Sequence, residues 1–410
     1  MKNIAIVTLA VALENEKGYS RFRFLANLLC DYYNVDLITS SFQHWEKKQR
    51  DINIISVLKT RYNISLAYEP GYRKNVDVRR FCSHRTAVKN IIRILEKKTY
   101  DLIYCIIPDN NMAASVGRYA KRKGIKYIVD IEDLWPEAME MVSPLPNGIN
   151  RLLFASFRKD AKVAYECADA FVGTSDEYRD VPKVKYGIEG KTAITVYVGC
   201  DLDDFDSGVQ EFIEKIEKSD DEFWVTYAGT LGKSYDISTL IYASSEILKR
   251  GYKNIKIKIL GNGPTQEELK KITDSLSCDV EFLGYMSYKK MAAYLSKSDL
   301  TVNSVVKKSA ASIITKIGDY LAAAKPMINT CSSYEFQNKV EHDRFGINVE
   351  AENVRALTDA IIYLYENKEL CREFRKNARQ VAERDFDRKN SYKEIVNLIN
   401  DLIGEDKNAN

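Results

Sequence analysis

Short apolar runs separated by amphipathic helical stretches recur along this chain, and the series starts twice. In the first half IAIVT, VDLIT, DLIYCII, KYIVDI and AFVGT have the length and β-branched content of strands. Between them lie the helical stretch YSRFRFLANLLCDYY, a helix near Arg85 to Lys97, another through AASVGRYAKRK and a fourth from Arg151 to Cys167. Near-continuous apolar strands alternating with helices predict parallel strands buried on both faces, because a parallel neighbour requires a crossover connection and helices supply it. After an irregular acidic bridge, GCDLDDFDSG, the series restarts with WVTYAG, IKIKILG, VEFLG, DLTVNSV, PMIN and GINVE.

A chain of 410 residues exceeds what one hydrophobic core usually organises. The fold expected is therefore α/β, with two Rossmann-like doubly wound parallel-sheet domains. Their expected spans are 1–205 and 206–387, with the closing helix, 388–410, long enough to cross back onto the first. Ligands of such sheets sit at the carboxyl ends of the strands, here in a central cleft between the two domains.

Charge is unevenly distributed. From Trp45 to Lys98 there are fourteen Lys and Arg against five Asp and Glu, although the whole chain carries only +3. Trp45, Tyr62, Tyr68, Tyr72 and Phe81 interleave with these cations. The segment suits an anionic membrane surface or a lipid diphosphate, and equally an ordinary solvated face. No nucleic-acid motif accompanies it, so nucleic acid is not an expected partner. Eight scattered cysteines without a CxxC pair read as reduced thiols of a cytoplasmic protein. Glu14, Glu16 and Lys17 interrupt the apolar start, which argues against a signal peptide. No stretch is long and apolar enough to cross a bilayer, so the expected location is cytoplasmic, peripheral at the inner face of the plasma membrane.

Three loops at strand ends in the second half carry candidate chemistry. AGTLGKS brings Gly229, Thr230 and Lys233 to the end of the first strand, and LGNGP brings Asn262 and Gly263 to the end of the second. Glycine lets backbone amides approach a phosphate, and lysine neutralises it. The third is TKIGDYLAAAKPMINT, a short helix that Pro326 stops. Lys316 stands in its first turn, where a cation is unfavourable unless an anion faces it, and Asp319 follows three residues later. In the alternative reading Lys316 swings into water and pairs with Asp319. Neither half carries GxGxxG, a P-loop or a serine nucleophile elbow. His44, His84 and His342 are too far apart to suggest a metal site, and His84, read as a loop residue beside basic neighbours, is the one with a candidate role.

Taken in order, YAGTLGK, ILGNGP, VEFLGYMS and KIGDYLAAAKPMI resemble the donor-binding domain of glycosyltransferase family 4, the retaining GT-B enzymes. DIEDLWPE, Asp130 to Glu137, resembles the D-x-x-D-L-W-P-E signature of the bacterial capsule, O-antigen and exopolysaccharide branch. VYVGCDLDDF is similar to that family's interdomain segment. The resemblance implies a nucleotide diphosphate sugar on the second domain, with UDP the expected nucleotide and a hexose or N-acetylamino sugar the expected cargo. Gly229, Thr230, Asn262 and Gly263 would approach it, Lys233 and Lys316 would hold the diphosphate, and Asp319 would bond the ribose. Leu283, Tyr285 and Met286 would frame the base, with Ile317 beside them. Lys233, Lys316 and Asp133 would be the catalytic set. Gly18, His84, Glu132 and Asp133 would meet a lipid-linked saccharide acceptor, Asp133 touching the attacking hydroxyl unless it merely caps its own loop. Neither a cofactor nor an essential metal is expected.

The chain departs from the family pattern at two places. The first glutamate of the family's Glu-x7-Glu motif falls at Ala311, and the glycine usual two residues before the proline is Ala324. This reads as a divergent sugar pocket. A UDP-sugar 2-epimerase of the same fold and a non-catalytic scaffold subunit are the rival readings.

Overall fold

The computed structural model describes residues 1–404 apart from 15, 17, 19, 75, 76, 144 and 309–312, with the side chains at 54, 141, 142 and 147 also outside the description. Ala311 therefore lies outside the described residues.

The chain divides into two compact units, Met1–Val196 with Tyr392–Asn410, and Tyr197–Ser391. The first unit is a seven-stranded sheet in the order β5-β2-β1-β6-β7-β8-β9. These are β1 Asn3–Val7, β2 Asn34–Ser40, β5 Asn63–Ala67, β6 Leu102–Ile107, β7 Lys126–Ile131, β8 Ala170–Gly173 and β9 Thr192–Thr195, while β3 Phe42–Gln43 and β4 Lys48–Gln49 form a small hairpin outside it. All its pairings are parallel. Successive residues of one strand enter opposite cores: Ala5 and Val7 join Ile103, Cys105 and Val129, whereas Ile4 and Ile6 join Leu37, Tyr104 and Ile128. Burial on both faces is why these strands read as apolar runs rather than alternating ones.

Seven helices of this unit matter here: α1 Arg21–Leu29, α2 Ile54–Val57, α3 Val78–Leu95, α4 Asn110–Lys123, α5 Glu137–Val142, α6 Asn147–Leu153 and α7 Ala155–Cys167. The segment read as one helix from Arg151 to Cys167 is thus two, meeting at Phe154. The closing helix, Lys393–Ile403, sets Ile395, Val396 and Ile399 into the same core as Ile4 and Ile6.

The second unit has six parallel strands in the order β12-β11-β10-β13-β14-β15. They are β10 Phe223–Ala228, β11 Ile255–Leu260, β12 Val280–Gly284, β13 Leu300–Asn303, β14 Met327–Asn329 and β15 Gly346–Asn348. In both units the strand order reverses beside the first strand, the topological point at which doubly wound sheets bind ligands. The unit boundaries differ from the expected 205 and 387 because residues on either side of the bridge hold each other. Cys200 N donates to Phe386 O at 2.8 Å, Arg388 donates to the carbonyls of Val198 and Gly199 at 3.0 Å each, and the rings of Tyr197 and Phe386 stack at 4.8 Å.

Candidate functional site

At the carboxyl edge of the second sheet the strand ladder continues into the loops. Gly229 N donates to Leu260 O at 2.9 Å, Leu231 N to Asn262 O at 3.1 Å and Gly261 N to Gly284 O at 2.8 Å. These bonds hold the ends of β10, β11 and β12 together as one surface. Gly229 and Gly263 are among the glycines sterically required here. A Cβ on Gly263 would lie 2.1 Å from Leu231 O, and one on Gly229, whose φ is +152°, would lie 2.7 Å from Lys316 Nζ. Thr230 and Asn262 stand exposed on this edge, as does Lys233.

The helix Lys316–Ala322 is fastened to the same edge by Tyr320, whose hydroxyl accepts from Ala228 N at 2.8 Å and donates to Ala228 O at 3.1 Å. That anchor places Lys316 Nζ 3.9 Å from the ring centroid of Tyr227 and 4.0 Å from that of Tyr235. The ammonium group is buried with no hydrogen-bond partner among the described residues. Burial drives its pKa well below the ordinary lysine value. Facing two ring faces compensates by about 2 kcal/mol, less than the desolvation of an ammonium removes. The reading in which Lys316 swings into water to pair with Asp319 is thereby corrected, because the aromatic pair and Gly229 hold the side chain inward.

Asp319 lies on the same helix in different surroundings. Its Oδ1 accepts from Tyr288 at 2.8 Å. Burial raises its pKa to about 6, opposed by the Tyr288 hydrogen bond and the charge of Arg388. Ile317 requires a second correction: it is fully buried in the core with Phe205, Tyr320 and Phe336, and its amide donates to Ile314 O at 3.1 Å, so neither part is available to a ligand. Leu283 and Met286 are half-buried against that core, and Tyr285 is exposed at the end of β12. Ala324 adopts φ +53°, a left-handed conformation that explains why glycine would be usual there.

In the first unit the candidate residues gather at the carboxyl ends of β1, β6 and β7. Gly18, with φ +133°, leaves room for the Trp45 ring, which a Cβ would meet at 2.6 Å. His84 is a buried residue of α3, not a loop residue. Its Nδ1 lies 2.7 Å from Asp109 Oδ2 and its Nε2 3.8 Å from Glu69 Oε1. Burial acts to raise the Asp109 carboxyl, but His84 and the capping bond from Met112 N outweigh it and hold it below the ordinary value. Tyr72 lies between the two histidines, with its hydroxyl 2.5 Å from His44 Nδ1 and its ring against that of His84.

Glu132 accepts from Arg21 at 2.9 Å, and the same guanidinium reaches Asp130 at 3.0 Å. Asp133 accepts from Leu134 N at 2.9 Å and from Trp135 Nε1 at 3.2 Å, so its carboxylate shapes its own loop. Burial raises its pKa. Arg80 sits 4.6 Å over the Trp135 ring and 5.4 Å over that of Tyr72. Part of the basic segment is structural in the same way: Arg50 is buried and grips Glu16 through Nε at 2.7 Å and NH2 at 2.8 Å.

Sequence reasoning missed Tyr227, Tyr235 and Tyr288, and placed Tyr72 only among the aromatics of the basic segment. The available signal was the load of 26 tyrosines, which composition displays without saying where they point. Among the described residues no three His, Cys, Asp or Glu side chains converge as metal ligands, and no helix is long and apolar enough to cross a membrane.

Residues 209–381 match the family model described as Glycosyl transferases group 1. An uncharacterized glycosyltransferase of Methanocaldococcus jannaschii is 23% identical over 256 residues, covering 62% of this chain and 64% of that protein. The alpha-monoglucosyldiacylglycerol synthase of Acholeplasma laidlawii is 24% identical over 336 residues, 78% of this chain and 80% of that one. Among solved structures, sucrose-phosphate synthase from Thermosynechococcus elongatus superposes with a TM-score of 0.73 at 16% identity, covering 98% of this chain and 99% of that chain. The Anabaena protein HepE, solved in complex with UDP, gives 0.71 at 14% identity over 98% and 100% of the two chains. The fold is that of the GT-B glycosyltransferases. The matched segment and the two relatives support a glycosyltransferase.

Proposed function

We propose that the chain is a retaining glycosyltransferase of family 4 that moves a hexose or N-acetylamino sugar from a UDP-sugar to a lipid-linked saccharide in bacterial surface polysaccharide synthesis. The observation that carries the reading is the buried Lys316 ammonium beside Gly229, without a hydrogen-bond partner among the described residues. A diphosphate against Gly229 and Thr230 supplies the missing counter-charge, and Lys233 swings in from its exposed position to share it. Asp319 bonds the ribose hydroxyls, and Tyr285 with its neighbours frames the base.

The acceptor hydroxyl attacks the anomeric carbon as the bond from that carbon to the diphosphate oxygen breaks. The hydroxyl proton passes to the departing phosphate on the same face, so configuration is retained. Lys316 and Lys233 stabilise the charge on the leaving group, and such electrostatic stabilisation is worth several kcal/mol in a water-poor site. On the acceptor side Glu132, which Arg21 holds, meets the hydroxyl, Asp133 shapes the loop beside it, and Gly18 and the buried His84 support the neighbouring loops. The lipid carrier places the enzyme at the cytoplasmic membrane face, where the surplus cations between 45 and 98 meet anionic headgroups.

Calorimetric titration with UDP, GDP and their sugars, followed by assay of UDP release with and without a lipid-linked oligosaccharide, tests this. Acceptor-dependent UDP release is expected. Epimerised free sugar without acceptor would select the epimerase instead, and absence of binding to every nucleotide would leave only the scaffold reading.

A further inference from the structure

Helix α6 is inside out. Ile149, Leu152 and Leu153, with Leu145 just ahead of the helix, recur at the spacing of an apolar helical face, yet all are between 41% and 80% exposed. Among the described side chains of the helix the one turned inward is Asn150, which is buried, accepts from Ser143 Oγ at 2.8 Å and donates to Leu145 O at 3.0 Å. A surface helix normally buries its leucines and exposes its amide.

Packed rings link this stripe to α3, with Phe154 at the corner buried and Phe157 and Phe81 half-buried. Phe154 and Phe157 of the α6–α7 corner lie 5.8 Å apart, and Phe157 meets Phe81 of α3 edge-on at 5.1 Å. One helical turn ahead of Phe81 stands Val78, 76% exposed. The same elements, with the loop just before α3, present Arg73, Lys74, Arg79, Arg85, Arg151 and Lys159, all exposed and none in an ion pair among the described residues. The acids near these cations are engaged: Asp77 caps α3 through Arg79 N, Asp160 accepts from Asn111, and Glu140, which shares a pocket with Arg151, pairs with Arg158.

We propose that α6 and the first turn of α3 form a monotopic docking surface for an anionic phospholipid bilayer, with Val78, Ile149, Leu152 and Leu153 entering the acyl boundary and the six cations engaging headgroup phosphates. Exposed aliphatics without charge would suit a protein partner or a second copy equally. An apolar stripe on elements carrying unpaired cations matches the layered chemistry of a bilayer surface, apolar below and anionic above. The proposal deepens the membrane-facing reading above by adding insertion to attraction, and it rests on that reading for the side of the membrane only.

The test is co-sedimentation of the full chain with phosphatidylcholine vesicles, with and without phosphatidylglycerol, alongside Leu152→Asp/Leu153→Asp, Val78→Asp and Arg79→Glu/Arg151→Glu. Binding to the phosphatidylglycerol vesicles is expected. Each aspartate variant should weaken it at least about tenfold, in keeping with the apolar area withdrawn. The glutamate pair should abolish the preference for anionic lipid, with thermal unfolding and UDP binding unchanged. Equal vesicle binding by parent and aspartate variants would overturn the proposal, as would a parent that ignores both vesicle types. So would a parent dimer that Leu152→Asp/Leu153→Asp dissolves without altering vesicle binding. Vesicle binding retained in a protein that binds no nucleotide would uphold the docking surface and refute the glycosyltransferase reading.

Discussion

Lys316 Nζ lies 3.9 Å from the centre of the Tyr227 ring, sealed from water and without a hydrogen-bond acceptor among the described residues. A buried ammonium in this position is a cost to the free protein and an asset to an anion complex. Burial lowers its pKa well below the ordinary lysine value. A diphosphate beside it reverses that shift, so binding takes up a proton. Titration of UDP at mildly alkaline pH in buffers of different ionisation enthalpy should show the uptake, and Lys316→Arg, which stays charged, should bind without it.

The same lysine sets a stability prediction. A folded-state pKa depressed below the unfolded value means that stability rises as pH climbs from the folded pKa toward about 10.4, the value of an unfolded lysine. Lys316→Met should flatten that rise and raise the unfolding free energy near neutrality by about 1–3 kcal/mol. It should weaken UDP binding by on the order of a hundredfold, the loss expected when a buried charge pair is truncated. Thermal melts across pH, with binding isotherms, check both.

Asp319 titrates near 6 in the folded protein against 3.8 for the ordinary group, because burial penalises its charge. The raised value means that Asp319 costs stability progressively as pH rises from 3.8 to about 6, and the cost is constant above that. Asp319→Asn should therefore be close to neutral near pH 4 and stabilising by about 2–3 kcal/mol at pH 7. Affinity for a nucleotide sugar, whose diphosphate has no ionisation in this window, should fall below pH 6 in the parent and stay level in the variant.

Ala324 holds φ +53° at the turn between the Lys316–Ala322 helix and β14. An L-residue there is strained by about 1–2 kcal/mol, and glycine removes the strain while adding less than that in unfolded-state entropy. Ala324→Gly should raise the denaturation midpoint by an amount equivalent to about 0.5–1 kcal/mol, with nucleotide affinity unchanged.

His44 is held neutral in the first unit. Burial and then the charges of Lys47, Arg80 and His84 lower its pKa to about 3 from 6.5. The unfolded chain protonates this ring well before the folded one, so stability falls as pH drops from 6.5 toward 3. His44→Gln should remove on the order of 1–2 kcal/mol of that acid sensitivity, read as a smaller difference between urea midpoints at pH 7 and pH 5.

Much of this architecture is legible in order along the chain. The doubled strand–helix series, the glycine loops after WVTYA and IKIKIL, and the lysine opening the KIGDYL helix are local signals, and the structure gathers them on one sheet edge. At Ala324 the family resemblance marks a place where glycine is usual, and the structure supplies the reason in a left-handed φ of +53°.

Other features are not local. Ile317 stands beside Lys316 in sequence, yet the helix turns one into the core and the other toward Tyr227, a difference of about 100° that residue type alone does not orient. His84 reads as a loop residue because cations surround it, and only the packing of α3 buries it beside Asp109. Helix α6 has an ordinary amphipathic pattern, and nothing in that pattern says which face the protein covers.

Sequence by itself determined the two parallel sheets, the glycine loops at the strand ends of the second and the lysine, since periodicity and glycine placement act within a few residues. Tertiary structure alone decided that Lys316 is sealed between Tyr227 and Tyr235, that Asp319 is bonded by Tyr288, and that the α6 leucines face outward. Each of these joins residues far apart along the chain, or depends on what covers a surface, and burial is a property of the assembled fold rather than of any segment.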